Sequence, residues 1–422
     1  QQTREYLLLI GMAWIVYYAT ILLMTAGIRI SGLWKAKSRQ WTEGRKHWSK
    51  KIAHLHAKSG PRIWFHVSSL GEFEQARPVI EKIKSSREEI EIILTFFSPS
   101  GYTVRSGYPL ATVLYLPADL PGNARKWLDV IQPDMAVFVK YDIWPGYLQA
   151  LDQKSIPSLL ISAHWQPSHR FSSYHLPPAQ GLLRRFKKIF LQSDEHLEHY
   201  RQEGFTNLDV AGDTRIDRCL NLPGEVHERI PAILSRYQPF DLIAGSTWPK
   251  DEELLIVAID RLKLKAIIAP HDVSGDNIRR LMHALPFPSF RLSEMDEQDV
   301  SDFTSGAIII DNIGMLNVLY ALGDIAYVGG GFGSGIHNTL EPMAHSKPVI
   351  FGPAFQKFPE ATAMVKAGAA RSVSNSKDLQ DAIEYFKMGV NVEGAGKAAL
   401  DYLSHHAGAT GKVSKYILES IP

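Results

Sequence analysis

From about residue 60 onward the chain alternates between short apolar runs and longer segments whose apolar residues recur every three or four positions. Apolar runs bounded by glycine or polar clusters read as buried strands, and the longer period reads as helix. In the first half, strands are expected at residues 63–69, 91–97, 113–116, 135–139, 158–162 and 189–192. In the second half they are expected at 242–245, 266–269, 307–310, 326–328 and 348–351, with closing helices over 377–388 and 394–417. Strand–helix alternation on this scale predicts an α/β fold. Residues 212–240 carry scattered proline and charge without a strong apolar period, so they read as the connection between two domains. The first helix of the first domain is expected over residues 76–86, with Pro78 in its first turn, where proline is tolerated.

The N-terminal segment breaks this alternation. Residues 6–28 contain no charged side chain, and about 20 apolar residues suffice to cross a bilayer. Arg29, Lys35, Lys37, Arg39, Arg45, Lys46, Lys50 and Lys51 follow directly, with Trp34, Trp41 and Trp48 among them. A one-sided basic flank with interfacial tryptophans predicts a membrane anchor with everything downstream in the cytoplasm. A cleaved signal peptide fits less well, because no small-residue cleavage site follows suitably. A helix lying in the membrane surface is the other reading. The expected organisation is an anchor and basic flank over 1–50, a first domain over 51–215 and a second over 216–422, whose last helix is free to cross back to the first.

Composition changes this picture little. At 422 residues and 45% hydrophobic the chain can fill two cores, and its net charge of +2 gives no reason to expect nucleic acid. The lone Cys219 excludes an intrachain disulfide. The run Arg184, Arg185, Lys187, Lys188 reads either as a solvated face or as a surface for anionic headgroups.

Candidate chemistry gathers where strands end, the place open α/β sheets keep their ligands. Glu72 follows the first strand in a glycine-preceded turn; it suits a general base, or simply a carboxylate complementing a helix dipole. Lys140, Tyr141 and Asp142 follow a later strand, where Asp142 could equally cap the helix near Pro145, and Ser162 and His164 follow another. In the second half Ser246 and Thr247, Pro270 and His271, and Asp311 and Asn312 stand at strand exits. The richest stretch is 326–358, where a strand breaks into Gly329, Gly330, Gly331, Gly333 and Gly335 before His337, Asn338, Thr339, Leu340 and Glu341. Such a loop before a helix suits a nucleotide phosphate, and Glu341 suits a ribose diol. No D-x-D pair occurs, so nothing points to a metal bridging phosphate.

These segments together resemble the Kdo transferases of lipopolysaccharide synthesis, glycosyltransferase family 30. The resemblance rests on HVSSLGEFEQARPVIEKIK, DIWP, AGSTWPKDEE, IIAPH, IGMLNVLYALGDIAYVGGGF, HNTLEP and GPAFQKF. It implies the GT-B fold, two Rossmann-like domains facing a central crevice, here behind an N-terminal membrane-anchor helix. It further implies Glu72 as the base that deprotonates the acceptor, with Asp142 and Arg215 assisting the transition state. Pro270, His271, Ile313, Gly314, Met315 and Asn338 to Glu341 would hold the CMP part of the donor. CMP-Kdo would be the donor substrate with no further cofactor, a lipid A precursor the acceptor, and the cytoplasmic face of the inner membrane the location. The chain departs from the family at Lys140, His271, Met315, Thr339 and Arg215, where an acid, arginine, glutamate, proline and lysine are usual. Other readings are a membrane-associated GT-B transferase or epimerase using a UDP-sugar, and a nucleotide-binding protein without chemistry.

Overall fold

The computed structural model describes residues 2–140, 142–163, 181–195, 197–225, 230–295 and 303–422. Tyr141 and His164 lie outside the described residues. The chain forms two compact units, one of Gln1–Arg215 with Ala407–Pro422, the other of Ile216–His406. The division falls at Arg215, but the second unit ends at His406 rather than at the C-terminus, because the last helix returns to the first unit. That helix, Ala409–Ser420, buries Val413 and Ile417 in one cluster with Val79, Ile80 and Ile83.

Each unit holds one seven-stranded sheet whose described pairings are all parallel. In the first unit the strands are β1 (Arg62–Val67), β2 (Glu91–Phe96), β3 (Thr112–Tyr115), β4 (Met135–Val139), β5 (Ser158–Ala163), β6 (Lys188–Leu191) and β7 (Leu208–Val210). Their order is β3-β2-β1-β4-β5-β6-β7. In the second they are β8 (Phe240–Thr247), β9 (Lys265–Pro270), β10 (Ser289–Arg291), β11 (Gly306–Ile309), β12 (Gly323–Val328), β13 (Val349–Phe351) and β14 (Ala370–Ser372), in the order β10-β11-β9-β8-β12-β13-β14. In both sheets the chain leaves the first strand to one side and later returns to its other side. The topological switch points therefore lie between β1 and β4, and between β8 and β12. Ligands of open parallel sheets sit at such points, beyond the carboxyl ends of the strands.

Central strands are mainly apolar because helices cover both faces; Ile63, Trp64, Phe65 and Val67 of β1 are fully buried. The helix after β1 is longer than its sequence suggests. It spans Leu70–Ser86, so Pro78 sits in its interior rather than in its first turn. Proline there forgoes one backbone hydrogen bond, and it is buried, as are Ala76, Val79 and Ile80. The closing helices also differ from expectation. Residues 394–417 are not one helix: Gly389–His406 and Ala409–Ser420 are separated at Gly408, whose φ of 107° is costly for any residue with a side chain.

The N-terminal helix is Gln2–Ser31, and its Gly11–Ser31 part is long and apolar enough to cross a membrane. It also docks on the first unit: the Tyr17 hydroxyl donates to Asp119 Oδ2 at 2.7 Å, and Ile21 and Thr25 are buried. Asp119 is itself buried, and desolvation pushes its carboxyl up to about 6. The basic run near residue 185 is tied down locally. Arg184 donates to the carbonyls of Glu203 and Gly204, and Arg185 pairs with Asp152.

Candidate active site

In the first unit the switch point gathers two carboxylates. Ser69 caps the helix Leu70–Ser86, and Glu72 closes a capping box. Glu72 Oε2 accepts from the Ser68 and Ser69 backbone N–H groups at 2.6 and 2.8 Å. One carboxylate oxygen is thus fixed by the cap. The capping role, one of the two alternatives in the sequence, is present in the structure. Burial, then the neighbouring Asp142 charge, raises the Glu72 carboxyl, outweighing the two backbone N–H groups and His66. The helix start alone would hold it low; desolvation wins.

Asp142 leaves β4 and faces β1. Its Oδ1 accepts from Ser68 Oγ at 2.6 Å and from Trp144 Nε1 at 3.0 Å, and its Oδ2 lies 3.1 Å from His66 Nε2. Asp142 is therefore more than a cap for the helix Pro145–Gln153, whose first turn it does not hold by any side-chain bond. His66, wholly buried in β1, went unnoticed in the sequence, where it looks like one polar residue in an apolar strand. Its Nδ1 meets Thr95 Oγ1 at 2.8 Å on the adjoining β2.

Arg215 lies at the far side of the same edge, after β7. Its Nε and Nη2 both reach Asp213 Oδ2, at 3.0 and 2.6 Å, so its charge is already matched. Burial opposes the Asp213 charge, but Arg215, followed by Lys140, brings its carboxyl below the usual range. The departure Lys140 thus joins Arg215 around one carboxylate, with φ +58° at the β4 exit. This pairing is what the sequence could not show.

In the second unit the β8 exit and the glycine loop after β12 are bolted together by Asp251. This fully buried carboxylate accepts from Trp248 N at 2.9 Å, Gly330 N at 3.0 Å and Tyr327 Oη at 2.8 Å. In the sequence Asp251 looks like any acid in a helix's first turn, so it was missed. The glycines serve packing as much as ligand approach. A Cβ on Gly329 would stand 2.3 Å from the Ser246 carbonyl, and one on Gly331 would stand 2.6 Å from Gly352 Cα. Gly331 is buried against the β13 exit, so its side-chain absence serves backbone contact there.

Around this frame stand the remaining candidates. Ser246 adopts φ +54°, and the buried Thr247 hydroxyl donates to Glu252 at 3.1 Å. Pro270 ends β9 and is buried; His271 beyond it is exposed, and its N–H donates to the Thr247 carbonyl at 3.0 Å. The His271 ring stacks at 4.6 Å on both Trp248 and His337. Burial, and then His271 itself, pulls the His337 imidazole down to about 4, so it is neutral near pH 7. Burial also lowers His271. Ile313 is 77% exposed, and Gly314 has φ +110°, in the loop that ends at Met315.

Asn338 Nδ2 donates to Glu341 Oε1 at 3.0 Å, while its own Oδ1 accepts from Leu340 N at 3.1 Å. Leu340 belongs to the core, so its side chain faces away from a ligand. Thr339 is buried, and its hydroxyl finds no partner among the described residues. The helix that follows, Leu340–Ala344, has five residues, so its dipole lends little to an anion. Asn338 and Glu341 carry the polar chemistry of the segment instead.

The two switch-point constellations can be compared with known proteins. The family described as 3-Deoxy-D-manno-octulosonic-acid transferase (kdotransferase) matches residues 46–218, the part that holds Glu72, Asp142 and Arg215. The 3-deoxy-D-manno-octulosonic acid transferase of Haemophilus influenzae is 25% identical over 94% of this chain and 96% of its own. The chain is similar to Kdo transferases along most of its length. The enzyme of the same description from Aquifex aeolicus is 26% identical over 75% of this chain and 83% of its own. Among solved structures, a Neisseria meningitidis UDP-GlcNAc 2-epimerase superposes with a TM-score of 0.57 at 15% identity, covering 85% of this chain and 99% of that one. A Rickettsia africae glycosyltransferase gives 0.53 at 14% identity, covering 86% and 97%. Those likenesses are of fold, and agree with a GT-B pair of parallel sheets. These likenesses support a glycosyltransferase that transfers Kdo in lipopolysaccharide biosynthesis.

Proposed function

We propose that the chain moves Kdo from CMP-Kdo to a lipid A precursor with inversion, Glu72 acting as the base. The observation that carries this reading is the geometry of Glu72. One oxygen is fixed by Ser68 and Ser69, the other is open, and burial beside Asp142 raises its basicity. The acceptor hydroxyl oxygen bonds to the anomeric carbon of Kdo as the bond to the CMP phosphate breaks. The hydroxyl proton passes to Glu72, and CMP leaves with the electron pair. A raised carboxyl pKa brings the base closer to neutral pH, which favours proton transfer.

Asp142 supplies a second negative charge at the same switch point, suited to a sugar centre that becomes positive as CMP departs. In the second unit Asn338 and Glu341 present an amide and a carboxylate suited to the ribose of CMP, and His271 offers a ring at the β9 exit. CMP-Kdo is then the donor substrate, with no separate cofactor and no metal. The uncharged stretch over residues 6–28 of the N-terminal helix, with its basic flank, supports attachment at the cytoplasmic face of the inner membrane. Purified full-length protein given CMP-Kdo and a lipid A precursor should yield the Kdo-bearing lipid by mass. Turnover of a UDP-sugar in its place would point to the other reading.

A further inference from the structure

The helix Pro145–Gln153 follows Asp142 and Trp144, and no side chain of its own caps its first turn. Pro145 brings no N–H, so Gly146 supplies the first donor in need of a partner. That partner comes from 27 residues upstream: Gly146 N donates to Asp119 Oδ2 at 2.7 Å. The fit admits no side chain, since a Cβ on Gly146 would stand 2.2 Å from Asp119 Oδ1. A second tie lies one residue on, where the fully buried Tyr147 donates its hydroxyl to the Pro117 carbonyl at 3.0 Å. Residues 117–119 thus grip the turn that follows Trp144, and Trp144 Nε1 donates to Asp142 Oδ1 at 3.0 Å.

The same segment is held from its other side by the N-terminal elements. The Tyr17 hydroxyl shares Asp119 Oδ2 with Gly146 N, each at 2.7 Å. Arg45 Nε donates to the Leu116 carbonyl at 2.7 Å, and Arg45 Nη2 to the Phe97 carbonyl at 2.8 Å. Phe97 in turn packs on Trp144, with ring centroids 4.8 Å apart. Asp119 is 1% exposed, and no cation pairs with it among the described residues. Burial outweighs the Tyr17 hydroxyl and the Gly146 and Tyr147 N–H groups, which is why its carboxyl is pushed up. Without the Tyr17 donor the ionised form becomes costlier, and a neutral carboxyl accepts less strongly from Gly146.

We propose that Asp119 is a positioning residue for Asp142, and that Tyr17 completes it, so that the carboxylate site is fully set only while the N-terminal helix is docked on the first unit. Asp119 acts through the Gly146 turn and Trp144 and meets no reacting atom itself. A shift of that turn carries Trp144 with it, and misplacing a group at the chemistry by about 1 Å costs on the order of 10²-fold in rate. The chemical role of Asp142 rests on the transfer reading; the brace from Tyr17 to Trp144 does not. The N-terminal helix is then a working part of the first unit as well as a means of attachment.

The test uses the full-length chain in non-ionic micelles, with two readouts: backbone hydrogen exchange followed by mass, and Kdo transfer from CMP-Kdo to a lipid A precursor. Asp119→Ala should speed exchange across residues 142–153 and leave the second unit unchanged, because the opening is local. It should lower kcat roughly tenfold or more while KM moves less than about twofold, the pattern of a misplaced group. Asp119→Asn keeps an acceptor for Gly146 N and should recover much of both losses. Tyr17→Phe keeps the ring and removes only the donor, and should reproduce the change in the same direction, about threefold in kcat. The exchange arm needs no turnover, so it decides the brace independently of the transfer reading. Parent-like exchange over 142–153 in both Asp119→Asn and Tyr17→Phe, with Asp119→Ala either parent-like there or unfolded as a whole, would overturn the brace. Faster exchange with an unchanged kcat would overturn the positioning of Asp142. A loss in KM alone would do the same.

Discussion

His66 Nε2 lies 3.1 Å from Asp142 Oδ2, joining the middle of one strand to the exit of the next at the first unit's switch point. The imidazole is fully buried and anchored by Thr95, so it positions Asp142 without reaching a substrate. His66→Ala should therefore lower kcat more than it raises KM, by roughly 10-fold or more, since a small misplacement of a reacting group is costly. His66→Gln keeps a polar group beside Asp142 and should recover part of the loss. Equal kinetics for wild type and His66→Ala would remove His66 from the account.

The pH profile should report Glu72. Its carboxyl is raised by burial and then by Asp142, and a base works only when ionised. Activity should therefore fall as pH drops through that raised value, with an acid limb above the ordinary glutamate value of about 4.3. Asp142→Asn removes the like charge and should move the limb to lower pH, whatever it does to the maximal rate. A limb that stays in place or rises in kcat/KM measurements would contradict this electrostatic coupling.

Asp251 should prove structural. It satisfies two backbone N–H groups and the Tyr327 hydroxyl inside the second unit. Asp251→Ala strands those donors and should destabilise that unit by roughly 2–4 kcal/mol, read by denaturant unfolding. The first unit's melting should change far less. An unaltered unfolding midpoint would show that the glycine loop is held in some other way.

Glu341 bears on the donor. It faces Asn338 at the glycine-loop end of the second unit and is only partly buried, so its loss should spare the fold. Glu341→Ala should weaken CMP binding by about 1–3 kcal/mol in calorimetry, the usual cost of unsatisfied polar partners. Undiminished affinity would place the ribose elsewhere.

Much of this architecture was legible in the chain, and the gaps have physical reasons. The central strands announce themselves because both faces are buried, as with β1 and β4. The strands that escaped notice, β7, β10 and β14, have three residues each, and β7, β10 and β14 lie at sheet edges, where little apolar surface needs covering. Pro78 disguised the true start of its helix, since a proline more often marks a first turn. Glu72 and Asp142 could be named from their strand-exit positions. His66, Asp251 and Arg45 could not, because each acquires its role from partners distant in sequence: Thr95 and Asp142, the glycine loop, and the carbonyls of Phe97 and Leu116. Arg215 was named through the family resemblance, and only the fold reveals that Asp213 already matches it.

The most direct test of the central claim is the transfer rate of Glu72→Gln, measured with CMP-Kdo and a lipid A precursor alongside its melting curve. Glutamine keeps the size and can still accept from the Ser68 and Ser69 N–H groups, but it cannot take the acceptor's proton. The account predicts a normal melt, unchanged CMP binding and a rate lower by roughly 10²–10⁴-fold, the typical contribution of a positioned base. A variant that melts normally and transfers Kdo at near the parent rate would show that Glu72 caps its helix and is not the base.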